Sequence, residues 1–269
     1  WLSFTIPTRN SGRRKKPVDF IPVFQDLNSV LDVFHSQQFR YSAVCQPTLK
    51  TFQENCLTDN NKPPLPGKRR PFIVIEGNHG TSNSIIFKRL CKKIGAVGLK
   101  KTAKCLAPLK NLFPINSPLR RAFFGLSVYA QAYAVKQIIP RWPVVMNGYW
   151  TDQQAFAIAR AYANQELPAH DSPLYKWPSD LLMPDLIVYL NFPEENQAYY
   201  QFATPRSKNW KSKVLNIYRR FSNIPLLEIK TLMGWDHIIS VIQRQIIGAL
   251  SGTCYINFKN ITFASFERK

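Results

Sequence analysis

Apolar residues gather along this chain into short, nearly uninterrupted runs set between longer segments of mixed character. Four runs are F-I-V-I (72–75), V-V-M (144–146), D-L-I-V-Y-L (185–190) and L-L-E-I (226–229), with a weaker one, A-V-G-L, at 96–99. Continuous apolar runs of this length, bounded by polar residues, predict strands buried on both faces. The intervening segments 84–95, 118–139, 151–165 and 235–250 read as helices. Strands alternating with helices, with little hairpin turn chemistry, predict an α/β fold: a parallel, doubly wound sheet of about five strands flanked by helices. Ligands of such sheets bind at the carboxyl ends of the strands.

Upstream, Val23, Leu27, Val30, Leu31 and Phe34 recur at helical spacing and predict an amphipathic helix over 18–34. The stretch K-P-P-L-P-G-K-R-R-P before residue 72 reads as a boundary. Three parts are therefore expected: a basic N-terminal extension (1–70), a main domain (71–250) and a tail (251–269). The tail alternates like an added strand pair.

Charge sharpens this picture. Lys and Arg number 36 against 16 Asp and Glu, a formal net charge of +20. Such a field favours anionic partners such as nucleotides, nucleic acid or acidic membrane surfaces, without choosing among them. Aromatic content of 13% argues against global disorder. The five cysteines form no C-x-x-C pair, and with four scattered histidines they suggest no zinc site. Their odd number and wide spacing fit a reducing compartment. The longest apolar stretch, 122–135, contains Gln131 and is flanked by Arg121 and Lys136, so it reads as a buried helix and not a membrane span.

The first strand runs into F-I-V-I-E-G-N-H-G-T-S-N-S, residues 72–84. A buried strand, a glycine turn and a helix start form the layout of a phosphate-binding loop, whose full pattern is G-x-x-x-x-G-K-[ST]. Gly77 fills the first glycine and Ser84 the last position. Ser82 stands at the second glycine and Asn83 at the lysine. Backbone N–H groups over Gly77, Gly80, Thr81, Ser82, Asn83 and Ser84 can face an anion, and the Ser84 hydroxyl can reach a phosphate or Mg²⁺. Asn83 carries no charge.

Three further stretches support this reading: L-P-A-H-D-S-P-L-Y-K-W-P-S-D-L-L-M-P-D-L-I-V-Y-L at 167–190, R-R-A-F-F-G-L at 120–126, and Y-W at 149–150 followed by A-F-A-I-A at 155–159. Together with the loop they resemble the thymidylate kinase family over about residues 71–250. The resemblance implies the P-loop nucleoside monophosphate kinase fold. It implies transfer of the γ-phosphoryl group of ATP, with Mg²⁺, to a pyrimidine nucleoside monophosphate, and it implies a homodimer and a mitochondrial setting. Carried over by position, the acceptor nucleotide falls to His79, Arg121, Phe124 and Tyr149, and lid cations to Arg206 and Lys208. The family's acid and arginine after the third strand are Asn147 and Gly148 here, and its loop aspartate is His79.

The loop lysine and the acid and arginine after the third strand, three charges at the reaction centre, are thus replaced, while scaffold residues such as Trp150, Trp177, Pro184 and Asp185 are kept. That pattern predicts a pseudokinase that senses nucleotides or meets an anionic partner. The competing expectations are an active divergent kinase that recruits other cations, and a nucleic-acid-binding protein.

Overall fold

The computed structural model describes residues 22–57, 68–78, 80–192, 208–230 and 234–256. Among these residues five strands form one parallel sheet: β1 (Phe72–Gly77), β2 (Val97–Leu99), β3 (Val144–Asn147), β4 (Leu186–Leu190) and β5 (Leu226–Ile229), in the order β2-β3-β1-β4-β5. Every pairing is parallel. The central strands bury nearly every side chain, which is why their sequences read as unbroken apolar runs. The strands follow the predicted alternation with helices, and a further helix, Lys208–Tyr218, lies between β4 and β5, where none was predicted.

Among the described residues, seven α-helices accompany the sheet: α1 (Leu27–His35), α2 (Cys45–Thr51), α3 (Gly80–Ile94), α4 (Pro118–Ile138), α5 (Trp150–Ala161), α6 (Lys208–Tyr218) and α7 (Trp235–Leu250). On one face, Ile73, Ile75 and Val188 pack against Ile86 and Leu90 of α3 and Ile239 and Ile242 of α7. On the other, Phe72, Val74 and Met146 meet Phe123 and Leu126 of α4. The α4 start is set by Ser117, whose hydroxyl accepts from the Arg120 N–H, and by Pro118 in the first turn.

The helix predicted over 18–34 is corrected at its start. Residues 22–24 have no regular structure, and α1 opens at Leu27 behind a capping box between Asp26 and Ser29. A capped Asp satisfies the first-turn N–H groups that a helix would otherwise leave bare. Phe24, Val30 and Phe34 enter the same core as Phe72 and Phe123. At Gly125 of α4 an added Cβ would meet Val30 Cγ2 at 2.9 Å, so a residue without a side chain lets the two helices close.

The cysteine expectation is corrected as well. Cys56 and Cys105 form a disulfide that ties the end of the segment after α2 to the loop between β2 and α4. The partners are 49 residues apart in sequence, with no local signature to reveal them. Of the tail, residues 251–256 form no strand, and 257–269 lie outside the described residues. No described helix is long and apolar enough to cross a membrane.

One ion pair clamps the sheet at the entry to β1 and β4. Asp185 receives both terminal nitrogens of Arg69 at 2.6 Å and the Phe72 N–H at 2.7 Å. The Asp185 side chain is 10% exposed, so its charge-assisted bonds are only partly screened. Asp185→Asn is expected to cost about 2 kcal/mol in urea unfolding. A change below about 0.5 kcal/mol, the range of an ordinary surface substitution, would make the clamp incidental.

Candidate active site

The carboxyl ends of β1 and β3 open into a cavity of about 810 Å³, walled by the starts of α3 and α4 and by α5 and α6. The parallel sheet puts it there: both strands point their last residues to the same edge, and both chains then turn into a helix.

The turn after β1 begins with Gly77 at φ 153°, a backbone that favours glycine. An added Cβ would stand 2.4 Å from the Leu190 carbonyl oxygen. The turn is therefore built as a phosphate loop is built, and Gly77, Gly80, Asn83 and Ser84 line the cavity. The side chains do not follow. Asn83 Nδ2 donates to the Gly77 carbonyl at 3.2 Å, and its Oδ1 is buried with no hydrogen-bond partner. Where a lysine would extend a charge, this residue folds back on its own loop. Ser82 is buried, and Thr81 is exposed outside the cavity wall. Ser84 Oγ donates to the Gly80 carbonyl at 3.0 Å and receives Asn147 Nδ2 at 3.4 Å.

That pair bears on Mg²⁺. A hard divalent ion seeks anionic oxygens. Ser84 and Asn147 are neutral and bonded to each other, and no cluster of three potential ligands exists among the described residues. The nearby carboxylates are engaged: Asp152 pairs with Lys101, and Glu76 is saturated with donors. The residues present do not fit a protein-held Mg²⁺.

Glu76, at the end of β1, organises the floor. Its Oε1 accepts the N–H groups of Tyr149 at 2.7 Å and Asp152 at 3.2 Å. Its Oε2 accepts the hydroxyls of Thr151 at 2.5 Å and Tyr218 at 2.8 Å. One carboxyl thereby joins β1, the β3–α5 turn and α6. Burial, and secondarily Asp152, pushes its pKa up to about 7, against the pull of Thr151, Tyr218 and Tyr149.

Of the residues expected to meet an acceptor nucleotide, Phe124 and Arg121 line the cavity. Arg121 spends Nε on the Pro22 carbonyl and one terminal nitrogen on the Gln153 carbonyl, with Phe24 beneath its guanidinium. Burial lowers its pKa to about 10, opposed by Asp152, so it stays charged at neutral pH. Tyr149 is corrected: it is wholly buried against Phe72 and Trp177, its hydroxyl donates to the Leu182 carbonyl, and it does not line the cavity. Gly148, at φ 78°, lies at the cavity wall. His79 and Arg206 lie outside the described residues, and Lys208 begins α6. Lys213, within α6, donates to the carbonyls of Tyr162, Ala163 and Gln165.

Sequence reading missed several wall residues. Asp152, Phe156 and Arg160 of α5 all reach the cavity, as their spacing of four places them on one helix face. Lys101, just after β2, and Trp210 and Tyr218 of α6 also line the wall. The one available signal was the helical spacing from 152 to 160.

No protein-family model matches the chain. Over 127 residues it is 33% identical to human mitochondrial UMP-CMP kinase 2, covering 46% of this chain and 28% of that protein. The chain thus matches little more than a quarter of that relative's length. Thymidylate kinase from Candida albicans shares the fold, with a TM-score of 0.52 at 14% identity over 71% of this chain and 96% of that one. With the fold of a thymidylate kinase and a third of its aligned residues identical to those of a UMP-CMP kinase, the chain is similar to nucleoside monophosphate kinases.

Proposed function

We propose that this protein is a nucleotide-binding pseudokinase. It takes a pyrimidine nucleoside monophosphate into the cavity and transfers phosphate from ATP very slowly or not at all. The observation that carries this reading is Asn83: an uncharged amide tied to Gly77, with a buried acceptor oxygen where a phosphate would need a donor. Phosphoryl transfer depends on positioning and on charge stabilisation of the transferred group. The binding half of the reading rests on the wall, which offers flat rings (Phe124, Phe156, Trp210) and an excess of cations for a base and an anion.

The test combines binding and turnover. Calorimetric titration with CMP, dUMP and dTMP is expected to give binding of at least one. A coupled assay with ATP, Mg²⁺ and the same acceptors is expected to give rates on the order of 10⁴-fold below ordinary kinases, which run at about 1 s⁻¹ or faster. Turnover near about 1 s⁻¹ overturns the pseudokinase reading in favour of an active kinase with recruited cations. Absence of binding to all three overturns the nucleotide reading.

The mitochondrial location in the relative's name, together with the +20 charge, supports a mitochondrial setting for this protein too. Fractionation of cells expressing the full-length protein tests it, and exclusive recovery elsewhere sinks it.

A further inference from the structure

Gly148 leaves a gap in the cavity wall, and another part of the chain fills it. A Cβ at Gly148 would lie 3.6 Å from Lys101 Cδ and 3.7 Å from Asp152 Oδ2, ordinary contact distances. The Lys101 stem therefore lies across the bare backbone of residue 148, and its ammonium pairs with Asp152. Asp152 is itself fixed, since its N–H donates to Glu76. The Lys101 side chain is 44% exposed at the cavity wall, so the ammonium is anchored on one side and open on the other.

The surrounding charge is unbalanced. Glu76 and Asp152 are the carboxylates that line the cavity among the described residues, and both are already engaged. Lys88, Lys100, Lys110 and Arg160 line the same cavity without a carboxylate partner there. An ion pair inside a field of surplus cations is where a second, stronger anion enters most readily: it meets Lys101 without displacing Asp152, because an ammonium has three donors.

We propose that Lys101 is a phosphate-binding residue, whose ammonium, held over Gly148 by Asp152, receives the phosphate of a nucleoside monophosphate. This rests on the nucleotide-binding reading above. The base end of such a ligand has Phe156 one turn further along α5, packed edge-on to Trp210 with centroids 5.5 Å apart.

The experiment compares a nucleoside with its monophosphate, cytidine against CMP and deoxyuridine against dUMP, by calorimetry on the full chain and two variants. In the wild type the monophosphate is expected to bind more tightly. Lys101→Gln is expected to weaken monophosphate binding about tenfold and leave nucleoside binding unchanged, while Lys101→Arg stays within about threefold of wild type. A structural role would instead lower both affinities together, and that result, or an unchanged monophosphate affinity in Lys101→Gln, overturns the proposal. A wild type that binds the nucleoside and monophosphate equally also overturns it while leaving the cavity a nucleoside site. A wild type that binds neither sinks the nucleotide reading and this inference with it.

Discussion

Glu76→Ala is expected to lower the unfolding free energy at pH 4.5 by about 4 kcal/mol. Two of the four donors it satisfies, the N–H groups of Tyr149 and Asp152, are backbone groups with no freedom to turn elsewhere. Stranding two buried N–H groups costs about 1–3 kcal/mol each, and the vacated space adds to it. Glu76→Gln is a different case. Its carbonyl can keep both N–H bonds at the Oε1 position, while its NH₂ faces the hydroxyls of Thr151 and Tyr218, which can rotate to accept. Glutamine thus imitates the protonated acid.

The pH dependence separates the two. The carboxyl's pKa rises from 4.5 to about 7 on folding, so the folded state binds more protons between those values. Its contribution to stability is full below about pH 4.5, falls as pH rises through 7 and is flat beyond. Relative to wild type, Glu76→Gln is therefore expected to gain about 3 kcal/mol between pH 4.5 and pH 8. Denaturant unfolding at the two pH values measures this. A Glu-to-Gln difference independent of pH, or an Ala variant within about 1 kcal/mol of wild type at pH 4.5, would show that the hub is ordinary packing.

Glu76 also marks the boundary of what sequence reveals here. The strands were legible because burial on both faces leaves a continuous apolar run, as in Ile73–Ile75 and Leu186–Leu190. The phosphate-loop turn was legible from one glycine placed between a strand and a helix. Local signals of this kind survive in sequence because the cause is local. The hub was not legible, since its donors come from residues 149–152 and 218 and meet only when β1, β3 and α6 are assembled. Tyr149 failed for a related reason. Its place beside Asn147 and Gly148 suggested the site, but the turn into α5 swings its ring into the core against Phe72 and Trp177. Lys101 went unnoticed because the bare backbone it covers lies 47 positions away, in another strand's turn.

Restoring two charges, with Asn83→Lys and Asn147→Asp together, is expected to raise turnover on the order of 10⁴-fold. Each replaced group corresponds to about 10²–10³ in rate, and neighbours acting on one phosphoryl group do not add fully. The geometry favours both changes. Asn83 already lines the cavity at the start of α3, so a longer stem can leave the Gly77 carbonyl and extend outward, removing the stranded Oδ1. An aspartate at 147 can accept from the Ser84 hydroxyl that now faces an amide, and it brings the missing anionic oxygen. Gly148→Arg, by contrast, is expected to add little. Its backbone sits at φ 78°, where a side chain costs about 1–2 kcal/mol, and its stem would have to push aside Lys101, which already supplies a cation there. The coupled assay with ATP, Mg²⁺ and CMP or dUMP should therefore place the double variant close to the triple variant. If the triple far exceeds the double, Lys101 is not the standing cation at Gly148. If neither recovers turnover while the monophosphate still binds, the defect lies beyond these charges, in how the loop presents ATP.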